Sequence, residues 1–219
     1  MLLYLFTHLH QVSPRLNSIQ TISTALAQHT QQTSEAKADT KQAAVAIILC
    51  ATHRDSPDIQ VGFIERATRD GDPWSAQMAF PGGHLEPLDA NLKGAAMRET
   101  LEEINVDLNA AEYLGPVDQQ FAAPRGPRLN MIIEPHVFSL PAVPDTTPNY
   151  EVADVVWAPL QDLMANHWHD TETYPMDDTP TVFNGYRLPK GHFVWGLTYR
   201  MVKSFFSIID KDWRPPAER

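Results

Sequence analysis

Apolar positions along this chain fall into blocks of helical and strand spacing. After the apolar opening MLLYLF and Ser13-Pro14, Leu16, Ile19, Ile22 and Leu26 recur at helical intervals. They predict a helix packed on the rest of the domain or on a second subunit, which admits a homodimer. Residues 31–42, QQTSEAKADTKQ, read as a polar linker. The apolar run Ala43 to Cys50 predicts a core strand, and Gln60 to Glu65 alternates around Val61 and Phe63, with His53 to Asp58 as the turn between them. Tyr113 to Gln120 and Met131 to Leu140 predict two further strands joined by the loop FAAPRGPRLN. Thr181 to Leu188 is expected to be a last strand, broken at Asn184-Gly185. Beyond Pro189, Phe193, Leu197, Met201 and Phe205 keep helical spacing and predict a helix that covers the sheet, followed by a charged, proline-rich tail that frays after Asp210.

Between the early and late strands lies the stretch with chemistry. A helix carrying Arg98, Glu99, Glu102 and Glu103 places its three glutamates within an arc of roughly 100°, because a helix turns about 100° per residue. Met97, Leu101 and Ile104 form an apolar stripe on the other side, so the acidic face is expected to look outward, toward a cleft. Pro81-Gly82-Gly83 before it allows a tight turn and close backbone approach. Asp89 suits the positive end of the helix dipole and can pair with Arg98 across the loop, and Asn105 suits a left-handed C-terminal cap.

Composition narrows the classes. With 219 residues, 43% of them hydrophobic and 20% charged, the chain has room for an α/β domain with a sizeable core. A formal charge of −10 argues against nucleic acid as a partner, though a pocket lined by metal and arginines still accepts a phosphorylated small molecule. Cys50 is the single cysteine, which excludes an intrachain disulfide and a cysteine zinc site and fits a reducing cytoplasm. No basic leader and no apolar run approaching about 18 residues are present, so neither a signal peptide nor a membrane span is expected.

Clustered carboxylates with oxygen donors suit Mg²⁺ or Mn²⁺, which keep several waters and bridge to phosphates. AFPGG, five residues, Asp89, eight residues and then RETLEEINV resembles the Nudix box, whose pattern is Gly, five residues, Glu, seven residues, Arg-Glu-U-x-Glu-Glu-x-Gly-U, with U apolar. Asp89 stands for Glu, one extra residue precedes Arg98, Thr100 takes an apolar position, and Asn105 replaces Gly. The extra residue lies upstream of the ligand spacing and is expected to lengthen a loop. Thr100 can pack there if its hydroxyl bonds back one turn. The resemblance implies a Nudix α/β/α sandwich with a mixed central sheet. It makes Glu99, Glu102, Glu103 and the Gly83 carbonyl the metal ligands, with Arg98 orienting Glu99 and anchoring the loop. Residues 1–42 are then an N-terminal helical extension and linker, and residues 43–219 the hydrolase domain.

The upstream segment ERATRDGDPWSAQMAFPGG is most similar to the coenzyme A pyrophosphatase branch, with Asp72 where an Arg is usual and Ala76 where a Gly is usual; Arg66 or Arg69 could substitute. Arg125 and Arg128 are either solvated turn residues or guanidinium contacts to substrate phosphates. Glu151 is the candidate acid outside the box, completing the metal site or serving as base, with Asp154 second; the EVADVVWAPL segment resembles the late Nudix strand and short helix. His167 and His169 read as part of a polar loop. The implied reaction is metal-dependent hydrolysis of a nucleoside diphosphate linked to another group. Coenzyme A or acyl-CoA would give 3′,5′-ADP and 4′-phosphopantetheine. The alternatives are ADP-ribose, a dinucleotide, or a nucleotide-sensing module that does not cut.

Overall fold

The computed structural model describes residues 18–37, 39–71, 74–122, 130–176 and 179–218. Its elements run α1 (Ile19–Gln28), β1 (Lys41–Cys50), β2 (Gln60–Arg66), β3 (Met78–Ala79), β4 (Gly82–His84), α2 (Leu92–Ile104), β5 (Glu112–Pro116), β6 (Gln120–Ala122), β7 (Met131–Leu140), β8 (Val152–Pro159), α3 (Leu160–Met164), β9 (His169–Met176), β10 (Thr179–Arg187), β11 (Phe193–Trp195) and α4 (Gly196–Ile209).

β1 is the centre of the main sheet. It runs parallel to β7 along its whole length, from Lys41 beside Met131 to Cys50 beside Leu140. Its other edge is shared: β2 pairs with its end at Leu49 and Cys50, and β4 pairs with its beginning at Ala43 to Val45. β3 and β8 join β2, while β5 and β6 join β7, all antiparallel, so the sheet is mixed. A strand with both faces covered reads as one apolar run, and β1 does. Ala44, Ala46, Ile48 and Cys50 point to α2, where Ala95 and Ala96 let helix and sheet approach closely. Val45, Ile47 and Leu49 point the other way, to a cluster that holds Ile19, Ile22 and Leu26 of α1 and Val202, Phe205 and Phe206 of α4. Helices thus cover both faces of a mixed sheet, as expected for the α/β/α sandwich.

α1 begins at Ser18, whose hydroxyl accepts from the Thr21 N–H at 3.2 Å. The helix shares its core with α4, and the division placed at residue 42 falls inside β1. Leu16 lies outside the described residues. The expected linker is laid against the segment after β5: Gln31 donates to the Val117 carbonyl, and the Gln32 and Ser34 N–H groups donate to Asp118 and Gln119. That contact accounts for one correction. The single strand expected over residues 113–120 is two, because Asp118 turns out to accept from Gln32 and His29, and because Gly115, at φ +139, sits at a register shift.

Four expectations in the last third are also corrected. The polar stretch around His167 and His169 is mostly β9, and it pairs with an unbroken β10; its charges are matched across strands, Arg187 meeting Asp170 at 2.6 Å and Glu172 at 2.8 Å. Gly185 does not break β10: a Cβ there would lie 2.2 Å from the Val194 carbonyl, so glycine lets β11 come close. Phe193 belongs to β11, and the helix starts only at Gly196. The tail is pinned, for the Trp213 indole donates to the Met164 carbonyl at 2.9 Å and packs edge-on against Phe206.

Candidate active site

The Phe80-Pro81-Gly82-Gly83 turn carries the chain from the β2 side of the sheet to the edge of β1, and the Ala46 N–H fixes it by donating to the Pro81 carbonyl at 2.8 Å. Two different constraints demand the two glycines. Gly82 sits at φ +151, and a Cβ there would lie 2.2 Å from the Ala44 carbonyl. At Gly83 the obstacle is a side chain: a Cβ there would fall 2.3 Å from Glu99 Oε1. The space over Gly83 is the cradle in which the Glu99 carboxylate lies.

α2 has signals at both ends. Asn91 accepts from the Gly94 N–H at 2.9 Å, and Asn105 closes the helix in the left-handed region at φ 58, ψ 37. Thr100 is fully buried and donates its hydroxyl to the Ala96 carbonyl at 2.7 Å, the bond that lets a polar residue take an apolar place.

The expected apolar stripe needs correction. Ala95, Ala96, Thr100, Glu103 and Ile104 face the sheet, whereas Leu101 is 44% exposed. The small residues at 95 and 96 set the helix rotation, and in doing so they separate the three glutamates. Glu103 is 2% exposed and accepts from the Gly82 N–H at 2.8 Å; burial pushes its carboxyl up to about 8. Glu99 is mostly buried, and burial raises its pKa against the opposing pull of Arg98 at 3.0 Å. Glu102 is more than half exposed and pairs with Arg98 at 3.1 Å.

Arg98 is a hub. Its guanidinium forks onto Asp89 with two contacts of 3.0 Å and donates to the His84 carbonyl, while also reaching Glu99 and Glu102. Asp89 holds the Arg98 pKa above its ordinary value, and Arg98 holds the Asp89 carboxyl below its own. The loop with the extra residue is therefore tied at both ends.

Glu99 and Glu103 open on a cleft of about 230 Å³. Glu151 lies on its wall too, as do Gly83 and Arg66. Residues 149–151 are bolted in place: the Asn149 N–H donates to the Glu103 carbonyl at 2.8 Å, Glu151 donates its N–H to the Asn149 side chain at 2.7 Å, and its carbonyl accepts from Ala67 at 2.7 Å. Arg69 contacts Glu151 Oε1 at 3.0 Å. Asp154 instead pairs with Lys190 at 2.9 Å and His192 at 3.3 Å, and Lys190 holds its carboxyl below the usual range. Arg125, Arg128 and Asp72 lie outside the described residues. Ala76 is at φ +57, a conformation that suits the glycine usual at that place.

Trp74, Met78, Ile133, Leu197 and Met201 line the same cleft, and nothing in the sequence marked them as site residues. Leu197 and Met201 recur at helical spacing and read as core. The Thr198 hydroxyl, donating to the Met78 carbonyl at 3.0 Å, ties α4 to β3.

Among the described residues no three or more His, Cys, Asp or Glu converge into a ready metal cage. The donor chemistry nonetheless fits Mg²⁺ or Mn²⁺, which need only one or two carboxylates beside water and phosphate oxygens, and the cradle over Gly83 aims a carboxylate at the cleft.

A mixed sheet between helices, with an Arg-Glu helix over a cleft behind a Gly-Gly turn, defines an α/β protein of the Nudix class. The model of the NUDIX domain family matches residues 40–178, more than half of the chain, and the chain belongs to that family. An uncharacterized protein of Schizosaccharomyces pombe is 36% identical over 105 residues, 46% of this chain and 32% of its own length. The uncharacterized Nudix hydrolase NudL of Shigella boydii is 30% identical over 133 residues, 59% of this chain and 65% of the relative. The chain thus spans less than two thirds of these curated relatives. A MutT/nudix family protein from Enterococcus faecalis shares the fold, with a TM-score of 0.50 and 15% identity over 89% of this chain and 69% of that one. No described helix is long and apolar enough to cross a membrane.

Proposed function

We propose that the chain hydrolyses a phosphoanhydride bond in a nucleoside diphosphate linked to a second group, in the presence of Mg²⁺ or Mn²⁺, with coenzyme A or an acyl-CoA as substrate. One observation carries the reading: a single cleft is lined both by three acids, Glu99, Glu103 and Glu151, and by the apolar side chains of Trp74, Met78, Ile133, Leu197 and Met201. The acids suit a cation-bound diphosphate. The apolar side chains suit a neutral, flexible partner such as pantetheine. Kinship with relatives named Nudix hydrolases supports the reaction class.

The cation, when bound, would polarise a phosphoryl oxygen and stabilise charge on the leaving phosphate. Glu99 and Glu103, with Glu102 and the Gly83 carbonyl, would hold it. Arg98 keeps Glu99 and the loop in place. Glu151 would take the proton from the attacking water as the bond between phosphorus and the bridging oxygen breaks, and the products from coenzyme A would be 3′,5′-ADP and 4′-phosphopantetheine. Arg66 on the cleft wall, with Arg125 and Arg128, would meet substrate phosphates.

The test is a screen of the purified protein against coenzyme A, ADP-ribose, diadenosine polyphosphates, NADH and nucleoside triphosphates, with Mg²⁺, Mn²⁺ or EDTA, resolving products by chromatography. Metal-dependent release of 3′,5′-ADP from coenzyme A is the expected result. Preference for ADP-ribose or a dinucleotide keeps the chemistry and overturns the substrate. Nucleotide binding without turnover would make the chain a sensor.

A further inference from the structure

Arg69 is one of the two arginines that could replace the usual upstream Arg as a grip on substrate phosphate. Its surroundings give it different work. One nitrogen, Nη2, lies 3.0 Å from Glu151 Oε1, and the guanidinium carbon sits 4.8 Å from the centre of the Tyr150 ring. Both Arg69 and Glu151 are about one third exposed, and Glu151 lines the cleft. The backbone is held as well, since the Arg69 N–H donates to the Ser75 hydroxyl at 2.8 Å. Arg66, three residues earlier, lines the cleft, and Arg69 does not.

Hydrogen bonds at Asn149, Glu151 and Ala67 fix where the Glu151 backbone lies, but they leave the side chain free to rotate. A general base must point at its water within hydrogen-bond reach. Arg69 restricts that rotation from one side, and Tyr150 restrains Arg69 in turn by stacking on it.

Resting on the hydrolase reading above, we infer that Arg69 is a positioning residue which aims the Glu151 carboxylate into the cleft and makes no contact with substrate phosphate. Loss of Arg69 then lowers kcat and leaves substrate affinity alone. Because the contact to Glu151 is a single nitrogen to a single oxygen, a lysine ammonium can restore the ion pair but not the stacking on Tyr150.

The test compares wild type, Arg69→Ala, Arg69→Lys, Glu151→Gln and the Arg69→Ala/Glu151→Gln double variant on the screened nucleotide that the wild type cleaves fastest. The Kd for ADP is measured by calorimetry alongside, and melting temperatures confirm folding. Expected are a kcat roughly ten- to a hundredfold lower in Arg69→Ala, KM and the ADP Kd within about twofold of wild type, and partial recovery of kcat in Arg69→Lys, which restores the ion pair but not the stacking. The double variant is expected to be no slower than Glu151→Gln alone, since a group acting through Glu151 has nothing left to aim. A KM or ADP Kd more than about fivefold weaker in Arg69→Ala, or effects that multiply in the double variant, would overturn the inference and return Arg69 to the phosphate. Wild-type turnover is scored separately: an inactive wild type removes the hydrolase reading and this inference together, whereas an active one with the wrong pattern removes the inference alone.

Discussion

The Gly82 N–H donates to the carboxylate of Glu103 at 2.8 Å, joining the turn before the helix to the last turn of the helix itself. Glu103 is thus held at one oxygen by the backbone and buried, while the cleft lies beside it. A glutamine can keep the acceptor but not the charge. Glu103→Gln is expected to fold with a melting temperature close to wild type and to lose turnover by about a hundredfold or more. Near-normal turnover at saturating Mg²⁺ would refute its assignment as a ligand.

Glu102 gives a contrasting case on the same helix. It is exposed and touches Arg98, so Glu102→Gln should leave stability unchanged within about 0.5 kcal/mol. Turnover should still fall on the order of a hundredfold if its carboxylate swings to the metal. Titration of activity against Mn²⁺ separates the two roles: a ligand shifts the midpoint, a surface ion pair does not.

The two glycines of the turn should respond differently to alanine. Gly82→Ala drives a methyl into the Ala44 backbone at a strained φ, and a loss of about 3 kcal/mol or more is expected in a denaturant titration. In Gly83→Ala the nearest atoms to the new methyl are those of the Glu99 carboxylate, the end of a side chain that can move. That variant should fold and be inactive, and an active Gly83→Ala would disprove the cradle.

Ala76 at φ +57 points to a stabilising change. Ala76→Gly relieves left-handed strain of about 1–2 kcal/mol, partly offset by greater freedom in the unfolded chain. The net gain should be about 0.5–1 kcal/mol, or a melting temperature about 1–4 °C higher. A lower melting temperature would show that the loop does not hold this conformation.

Cys50, 2% exposed on β1, has its thiol pushed up to about 12 by burial. Its folded pKa is raised above the unfolded value of about 8.5, so the folded state keeps a proton that the unfolded state gives up. Its contribution is fully present below about pH 8.5 and is lost progressively as pH rises toward 12. Stability measured from pH 7 to 10 should therefore fall more steeply in wild type than in Cys50→Ala. Equal slopes would contradict the burial, as would rapid thiol labelling of the folded protein.

Much of the fold could be read from spacing. β7 coincides with its expected limits, β1 and β2 come within a residue or two, and Asn105 closes the acid-bearing helix as expected, although its N-cap is Asn91 and not the Asp89 named as its N-terminal signal. What failed depended on partners distant in sequence. β9 looked like a loop because its charges are satisfied only across strands, by Arg187, and the tail looked loose because Trp213 finds Met164 far upstream. Of the acids singled out by spacing and resemblance, Glu99, Glu103 and Glu151 line the cleft, whereas Glu102, like Arg98, is not among its lining residues. The rotation of α2 was not legible, because it follows from close packing of Ala95 and Ala96 on Ala44 and Ala46, and the apolar lining of the cleft was not, because core and pocket positions on α4 share one periodicity.

The parallel pairing of β1 with β7 has a consequence for how the molecule is made. About ninety residues separate the partners, so the edge of β1 that β7 occupies stays bare until most of the chain has left the ribosome. During that interval an uninterrupted apolar strand, with Ile47, Ile48 and Leu49 at its heart, is open to any other unpaired edge. Refolding from denaturant should accordingly be slow and limited by protein concentration, and the nascent chain should be at its most vulnerable to aggregation just before residue 140 emerges.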